Sequence, residues 1–160
     1  MKQILVEYKC GVPVPKQMSE AIREIQTNKY RNVLIHIFSG VPDEDMLVHL
    51  CQELRDCCST DLIVGTMSAG EIMDGHMIRQ GVLISVILFE EADIKILRYD
   101  NVKENEVQIG ISLREVLDAM PDLKAAELLF PGTEIDTEFM YDEISRCRKH
   151  IQIFGRYPGG

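Results

Sequence analysis

Residues 32–38 read Asn-Val-Leu-Ile-His-Ile-Phe, an almost unbroken apolar stretch that is too short for a buried helix. A half-exposed strand alternates apolar and polar residues, whereas a strand that is apolar throughout must be covered on both faces. This segment therefore demands a layered fold, with elements packed above and below a sheet. Its flanks are helical. Met18, Ile22 and Ile25 form the apolar stripe of a helix over residues 16–28. Leu47, Leu50, Cys51, Leu54 and Cys58 form the stripe of a second, with Asp43 as its expected N-cap.

The same alternation runs along the chain. Over residues 3–9, Ile4, Val6 and Tyr8 fall on one face and Glu7 and Lys9 on the other, as on an edge strand. A third strand is expected over 62–65, leading into the loop Thr66-Met67-Ser68-Ala69-Gly70-Glu71. No helical pattern occupies 72–98. Asp74-Gly75 is a tight-turn pair, and 81–89 and 94–99 read as two antiparallel strands joined at 90–93. Helical periodicity returns with Leu113, Val116, Leu117 and Met120, where Ser112 and Glu115 have capping-box spacing. A strand over 126–130 stops at Pro131-Gly132, a last helix is expected to bury Phe139, Met140, Ile144 and Cys147, and residues 151–154 form a final strand.

This order implies one α/β domain over residues 1–160: a mainly parallel sheet with helices on both faces and an inserted antiparallel β-hairpin. The strands near 33–38, 62–65, 126–130 and 151–154 are expected to be parallel neighbours in that sheet.

Charge narrows the function. With 26 acidic against 17 basic residues, the net charge of −9 repels phosphate backbones and anionic headgroups, which argues against nucleic acid and membrane surfaces as partners. The most apolar run, 81–89, is too short to span a bilayer. Five cysteines without regular spacing suit a reduced, cytoplasmic compartment.

Ligands of parallel α/β sheets settle at the carboxyl ends of the strands. Here those ends carry Ser39-Gly40, Gly65 through Glu71, Pro131-Gly132 and Gly155-Arg156. In the loop after the third strand, Gly65, Ser68 and Gly70 leave backbone amides uncovered, and Glu71 sets a carboxylate beside them. Such a loop suits a small metabolite, its ammonium on Glu71 and its oxygens on the amides. It is no phosphate cradle, because the Lys-Ser/Thr of a P-loop is missing and no helix follows. Glycine is also common wherever a strand turns, so a purely structural turn is the competing reading. Ser39, Gly40, Gly132 and Gly155 are secondary ligand candidates.

Ile63-Val64-Gly65-Thr66-Met67-Ser68-Ala69-Gly70-Glu71-Ile72 resembles the signature of the FIST N-terminal domain: a strand, a glycine, small or hydroxylated residues, then Ala-Gly-Glu and an apolar residue. Phe38-Ser39-Gly40, Leu128-Leu129-Phe130-Pro131-Gly132 and Ile151-Gln152-Ile153-Phe154-Gly155 extend the likeness over nearly the whole chain. The resemblance implies an intracellular sensory module that binds a small ligand such as an amino acid. Its implied partners are the family's C-terminal half and an output module of kinase, cyclic-dinucleotide enzyme or chemoreceptor type. Arg156-Tyr157-Pro158 departs from the family's small residues there. The chain is expected to be either a fragment or a minimal member completed by another chain.

Other chemistries find less support. Cys51 and Cys58 fall on the apolar stripe of their helix, His49 and Cys51 point to different sides of it, and no Cys-x-x-Cys occurs, so no metal site is expected. Nor is there a nucleophile elbow, and no catalytic residue is assigned. Cys10, near Gly11 and Pro13, is the one candidate for a reactive thiol. His36 reads as a core residue, His76 and His150 as solvated ones. No cofactor is expected, with haem the alternative that Met67, Met73, His76 and Met77 would serve as axial ligands. A small hydrolase or transferase using the same rim, and an interaction domain without a ligand, are the competing functions.

Overall fold

The structure, a computed structural model, describes residues 1–130, 135, 137–147 and 150–156. Backbone contacts divide the chain into two compact units, residues 1–96 and 97–160. The first runs β1 (Lys2–Tyr8), α1 (Val14–Gln17), α2 (Ser19–Thr27), β2 (Asn32–Ser39), α3 (Glu44–Cys58), β3 (Ile63–Met67), β4 (Glu71–Met73), β5 (His76–Ile78) and β6 (Val82–Phe89).

Four of these strands form the main sheet in the order β1-β6-β2-β3. β2 and β3 are parallel, while β6 is antiparallel to both β1 and β2. The sheet is thus mixed, not mainly parallel. The expected hairpin of 81–89 with 94–99 does not form: β6 is threaded into the middle of the sheet, and 94–99 carry no strand. The residues explain why. Val82, Leu83, Ile84, Ser85, Val86 and Leu88 are all buried, on both faces of their strand, which a ribbon with one wet face does not provide. β1 takes the sheet edge, as its alternation indicated.

Strand register shows where the helices lie. Ile4, Val86, Ile35 and Ile63 form one row across the sheet, and Val6, Ile84 and Ile37 the next. These residues belong to one cluster with Val14 of α1, Met18, Ala21 of α2, and Leu50, Leu54 and Cys58 of α3. Because strand side chains alternate between faces, all three helices cover the same face. Helices on both faces were expected, and in this unit they are not found. Both crossovers, β1 to β2 and β2 to β3, advance in one direction along the sheet, and crossovers of one hand then fall on one side. On the opposite face Leu34, His36, Leu83 and Ser85 are also buried, and Gln3 Nε2 donates to Ser85 Oγ at 2.8 Å.

Capping fixes α3. Asp43 Oδ1 accepts from Met46 N at 2.9 Å, the expected N-cap, and Ser59 ends the helix in the left-handed region at φ 51°.

The second unit contains α4 (Glu106–Ala119), β7 (Ala125–Leu129), α5 (Thr137–Ser145) and β8 (Gln152–Arg156). β7 and β8 are parallel, as expected of this pair, but they form a two-stranded sheet of their own and do not join β2 and β3. Ala125 and Glu127 of β7 are exposed, so this strand lacks the two apolar faces of a central one. α4 starts at Glu106 with Asn105 at its N-cap, so Ser112 and Glu115 lie inside the helix and make no capping box. Gly110 lies within α4, and the close passage of α5 explains the glycine there: a Cβ would sit 3.3 Å from Met140 Cα. Met140 and Ile144 are buried as expected, but Phe139 is 53% exposed.

Candidate functional site

β1, β2 and β3 run the same way and β6 opposes them. Their carboxyl ends therefore share one rim with the start of β6, and Tyr8, Val82, Ser39 and Met67 stand in register along it. Ser39 is buried. Its hydroxyl accepts from Val41 N at 3.1 Å and donates to Val41 O at 2.8 Å, so the side chain is spent on turning its own backbone.

Two further bonds converge on this turn. Ser68 N donates to Ser39 O, and Gly40 N donates to Gly81 O, both at 2.8 Å. Residues 68–81 thus leave and re-enter the sheet at the single dipeptide Ser39-Gly40. Between these anchors β4 and β5 form an antiparallel ribbon, with Met73 opposite His76. Asp74 and Gly75 close it at φ 50° and 79°, the pair of left-handed residues that a type I′ turn requires.

Ser68 and Glu71 sit at the base of the ribbon. Ser68 Oγ is buried and makes no hydrogen bond among the described residues. Glu71, paired in register with Ile78, is half-buried with Oε1 shielded from solvent. Tyr8, at the far end of the rim, has its phenol held above the usual range by partial burial, with Cys10 and Glu53 adding to the shift.

The glycines of the loop are explained by close approach. A Cβ on Gly65 would stand 3.1 Å from Ile37 O, and one on Gly70 3.1 Å from Ile78 O. Gly40 faces Gln80 N at 3.2 Å in the same way. Gly81, which the sequence reading did not single out, belongs with them, since a Cβ there would meet Ile78 Cγ2 at 2.5 Å. Its only signal is a glycine directly before an apolar run.

Six of the eight sequence candidates thus lie in the first unit, around one turn and one ribbon: Ser39, Gly40, Gly65, Ser68, Gly70 and Glu71. Gly155 lies in β8 of the second unit, where any Cβ would strike the Leu128 backbone, so packing alone demands glycine. Gly132 lies outside the described residues. An open cleft of about 620 Å³ is lined by Glu138, Phe139, Tyr141 and Asp142 of α5 and contains none of the eight. The rim rests on converging hydrogen bonds, a firmer basis than the volume of an open cleft.

The soft side chains do not converge. Met73 and His76 share one face of the ribbon, Met77 lies opposite Ile72 on the other, and His76, Met77 and Met67 are exposed. Among the described residues no group of three or more His, Cys, Asp or Glu is placed to hold a metal ion.

The model of one protein family, the FIST N domain, matches residues 33–155. The chain belongs to the FIST family. FIST domains are sensory domains and not a family of enzymes. The matched residues of this FIST domain include the rim turn, the ribbon, β7 and all of β8 but its last residue. No curated protein and no solved structure matches the chain. No helix among the described residues is long and apolar enough to cross a membrane.

Proposed function

We propose that this FIST domain is an intracellular sensor that binds a small ligand at the Ser39–Glu71 rim and passes its occupancy to an output module. The observation that carries the reading is the buried Ser68 hydroxyl, which has no hydrogen-bond partner among the described residues. Buried polar groups are ordinarily satisfied, and one left over at a strand-end rim suits a ligand that supplies the missing bond. Glu71, three residues on, gives the site a carboxylate for a cationic group. Together they favour a ligand carrying an ammonium and polar oxygens, as an amino acid does. Among the described residues the two rim serines are not hydrogen-bonded to a base, Ser39 Oγ bonding Val41 and Ser68 Oγ having no partner, an arrangement that suits binding. The output partner on this reading is a kinase, a cyclic-dinucleotide enzyme or a chemoreceptor module.

A thermal-shift screen of the chain against amino acids, other small metabolites and haemin tests this. A ligand at a hundred times its Kd stabilises the fold by about 2.7 kcal/mol. For a chain of this size that raises the melting temperature by roughly 5–10 °C. Saturating stabilisation with the ligand recovered intact is expected. Consumption of the ligand would establish an enzyme instead.

A further inference from the structure

We propose that Cys57 and Cys58 are a redox-responsive site, which a hydroperoxide oxidises to a disulfide between adjacent residues, unwinding the last turn of α3. The inference is independent of the rim and of any ligand there.

Successive helical residues step by about 100°, so adjacent side chains normally diverge. Here they converge. Cys57 Sγ lies 3.7 Å from Cys58 Sγ, and it also lies 3.7 Å from Leu54 O. The two thiols differ in exposure, Cys57 being half-buried and Cys58 only 2% exposed within the cluster that includes Ile35 and Leu54. This division suits a thiol that meets the oxidant and a second that resolves the product.

The step balances with a hydroperoxide as oxidant. The Cys57 thiolate attacks one peroxide oxygen, the O–O bond breaks, and an alcohol (water, from hydrogen peroxide) leaves with the proton. Cys57 is then a sulfenic acid. Cys58 sulfur attacks the Cys57 sulfur as its own proton departs, the S–S bond forms, and the hydroxyl leaves with that proton as water. Two thiols have lost two electrons to the peroxide. Burial pushes both thiols up, Cys58 to about 12, so the reaction is slow at neutral pH and accelerates as pH rises.

The product does not fit a helix. Adjacent Cα atoms lie about 3.8 Å apart across a trans peptide, below the roughly 4.4 Å at which ordinary disulfides begin. The chain has a ready place to yield, because Ser59 already leaves the helix in the left-handed region. Beyond it, Thr60 Oγ1 donates to Val33 O at 2.7 Å and accepts from Leu62 N at 3.1 Å, so the disturbance would reach the entry to β3.

The test treats the whole chain with hydrogen peroxide at several pH values and digests it unreduced with trypsin. Cleavage after Arg55 and Arg79 gives a peptide, residues 56–79, holding Cys57, Cys58 and no other cysteine. That peptide should be two hydrogens lighter and regain them with dithiothreitol, while backbone amides at the end of α3 exchange faster. The Cys57→Ser chain, altered at the half-buried position, should form no such product. Three results would overturn the proposal: both thiols still alkylatable after peroxide at alkaline pH, a link to Cys10, Cys51, Cys147 or a second chain instead, or an oxidised peptide that keeps its exchange protection.

Discussion

Replacing Gly70 with alanine separates the two reasons a loop keeps a glycine. Gly70 is not among the residues at positive φ, where only Gly11 and Gly75 of the described glycines lie, so alanine meets no backbone strain there. What it meets is the ribbon. The new Cβ would stand 3.9 Å from Arg79 Cγ and 3.7 Å from Met77 Cγ, both ordinary contacts, but 3.1 Å from Ile78 O, which must yield by a few tenths of an ångström. Overpacking a rigid interior costs about 1–3 kcal/mol. The ribbon has room to move, with Ile72 70% and Met77 56% exposed, so the lower end applies, about 1 kcal/mol.

A penalty of that size raises the population of an opened ribbon roughly fivefold. Amide hydrogen exchange read by NMR should show it. Residues 71–78 should exchange about five times faster, while amides of β2 and β6 that exchange through local openings elsewhere stay nearly unchanged and the melting temperature falls by only about 2–4 °C. A drop in melting temperature several times larger would mean that the strain is not confined to the ribbon and spreads into the sheet. Unchanged exchange at 71–78 would mean that the Gly70–Ile78 approach constrains nothing.

Leu54 is fully buried between α3 and the sheet, so Leu54→Ala should lower stability by about 2–5 kcal/mol, read as an earlier urea midpoint. Asp43→Ala removes the side-chain bond to Met46 N and should cost about 1 kcal/mol by the same measurement. The Cys58 thiol ionises near 9.0 in an unfolded chain and near 12 when folded, so the folded state keeps a proton that the unfolded state releases between those values. Its contribution to stability is full below about pH 9 and is lost as pH rises towards 12. The melting temperature of Cys58→Ala should therefore fall less steeply over that window than that of the parent.

The sequence reading recovered much of what short-range chemistry specifies, although the expected Ser112–Glu115 cap lies inside α4. Asp43 caps α3, Asp74-Gly75 turns the ribbon, Ile4, Val6 and Tyr8 face the core from an edge strand, and the rim loop follows a strand end. It missed what depends on pairing across long separations. The apolar run 81–89 announced a strand, yet its place between β1 and β2 follows from pairings with residues some 40 to 90 positions away, which periodicity does not encode. The same limit hid the separate β7–β8 sheet, since parallel strands joined by a helix read alike in either arrangement. At the rim, residue types pointed to the segment but not to each role. Ser39 turns its own backbone through bonds to Val41 two residues on, whereas the bond from Ser68 N to Ser39 O, which ties the loop to that turn, is one that no local pattern records.

The rim assignment is tested most directly by the affinity of Glu71→Gln. Isothermal titration with the amino acid that most stabilises the parent chain would compare the two proteins, with melting temperatures confirming that both are folded. A hydrogen bond to a charged group is worth about 1.5–3 kcal/mol, so the variant should bind roughly ten- to a hundredfold more weakly while its melting temperature hardly moves. Equal affinity in the two proteins would contradict the assignment and leave the Ser68–Glu71 loop as a structural turn.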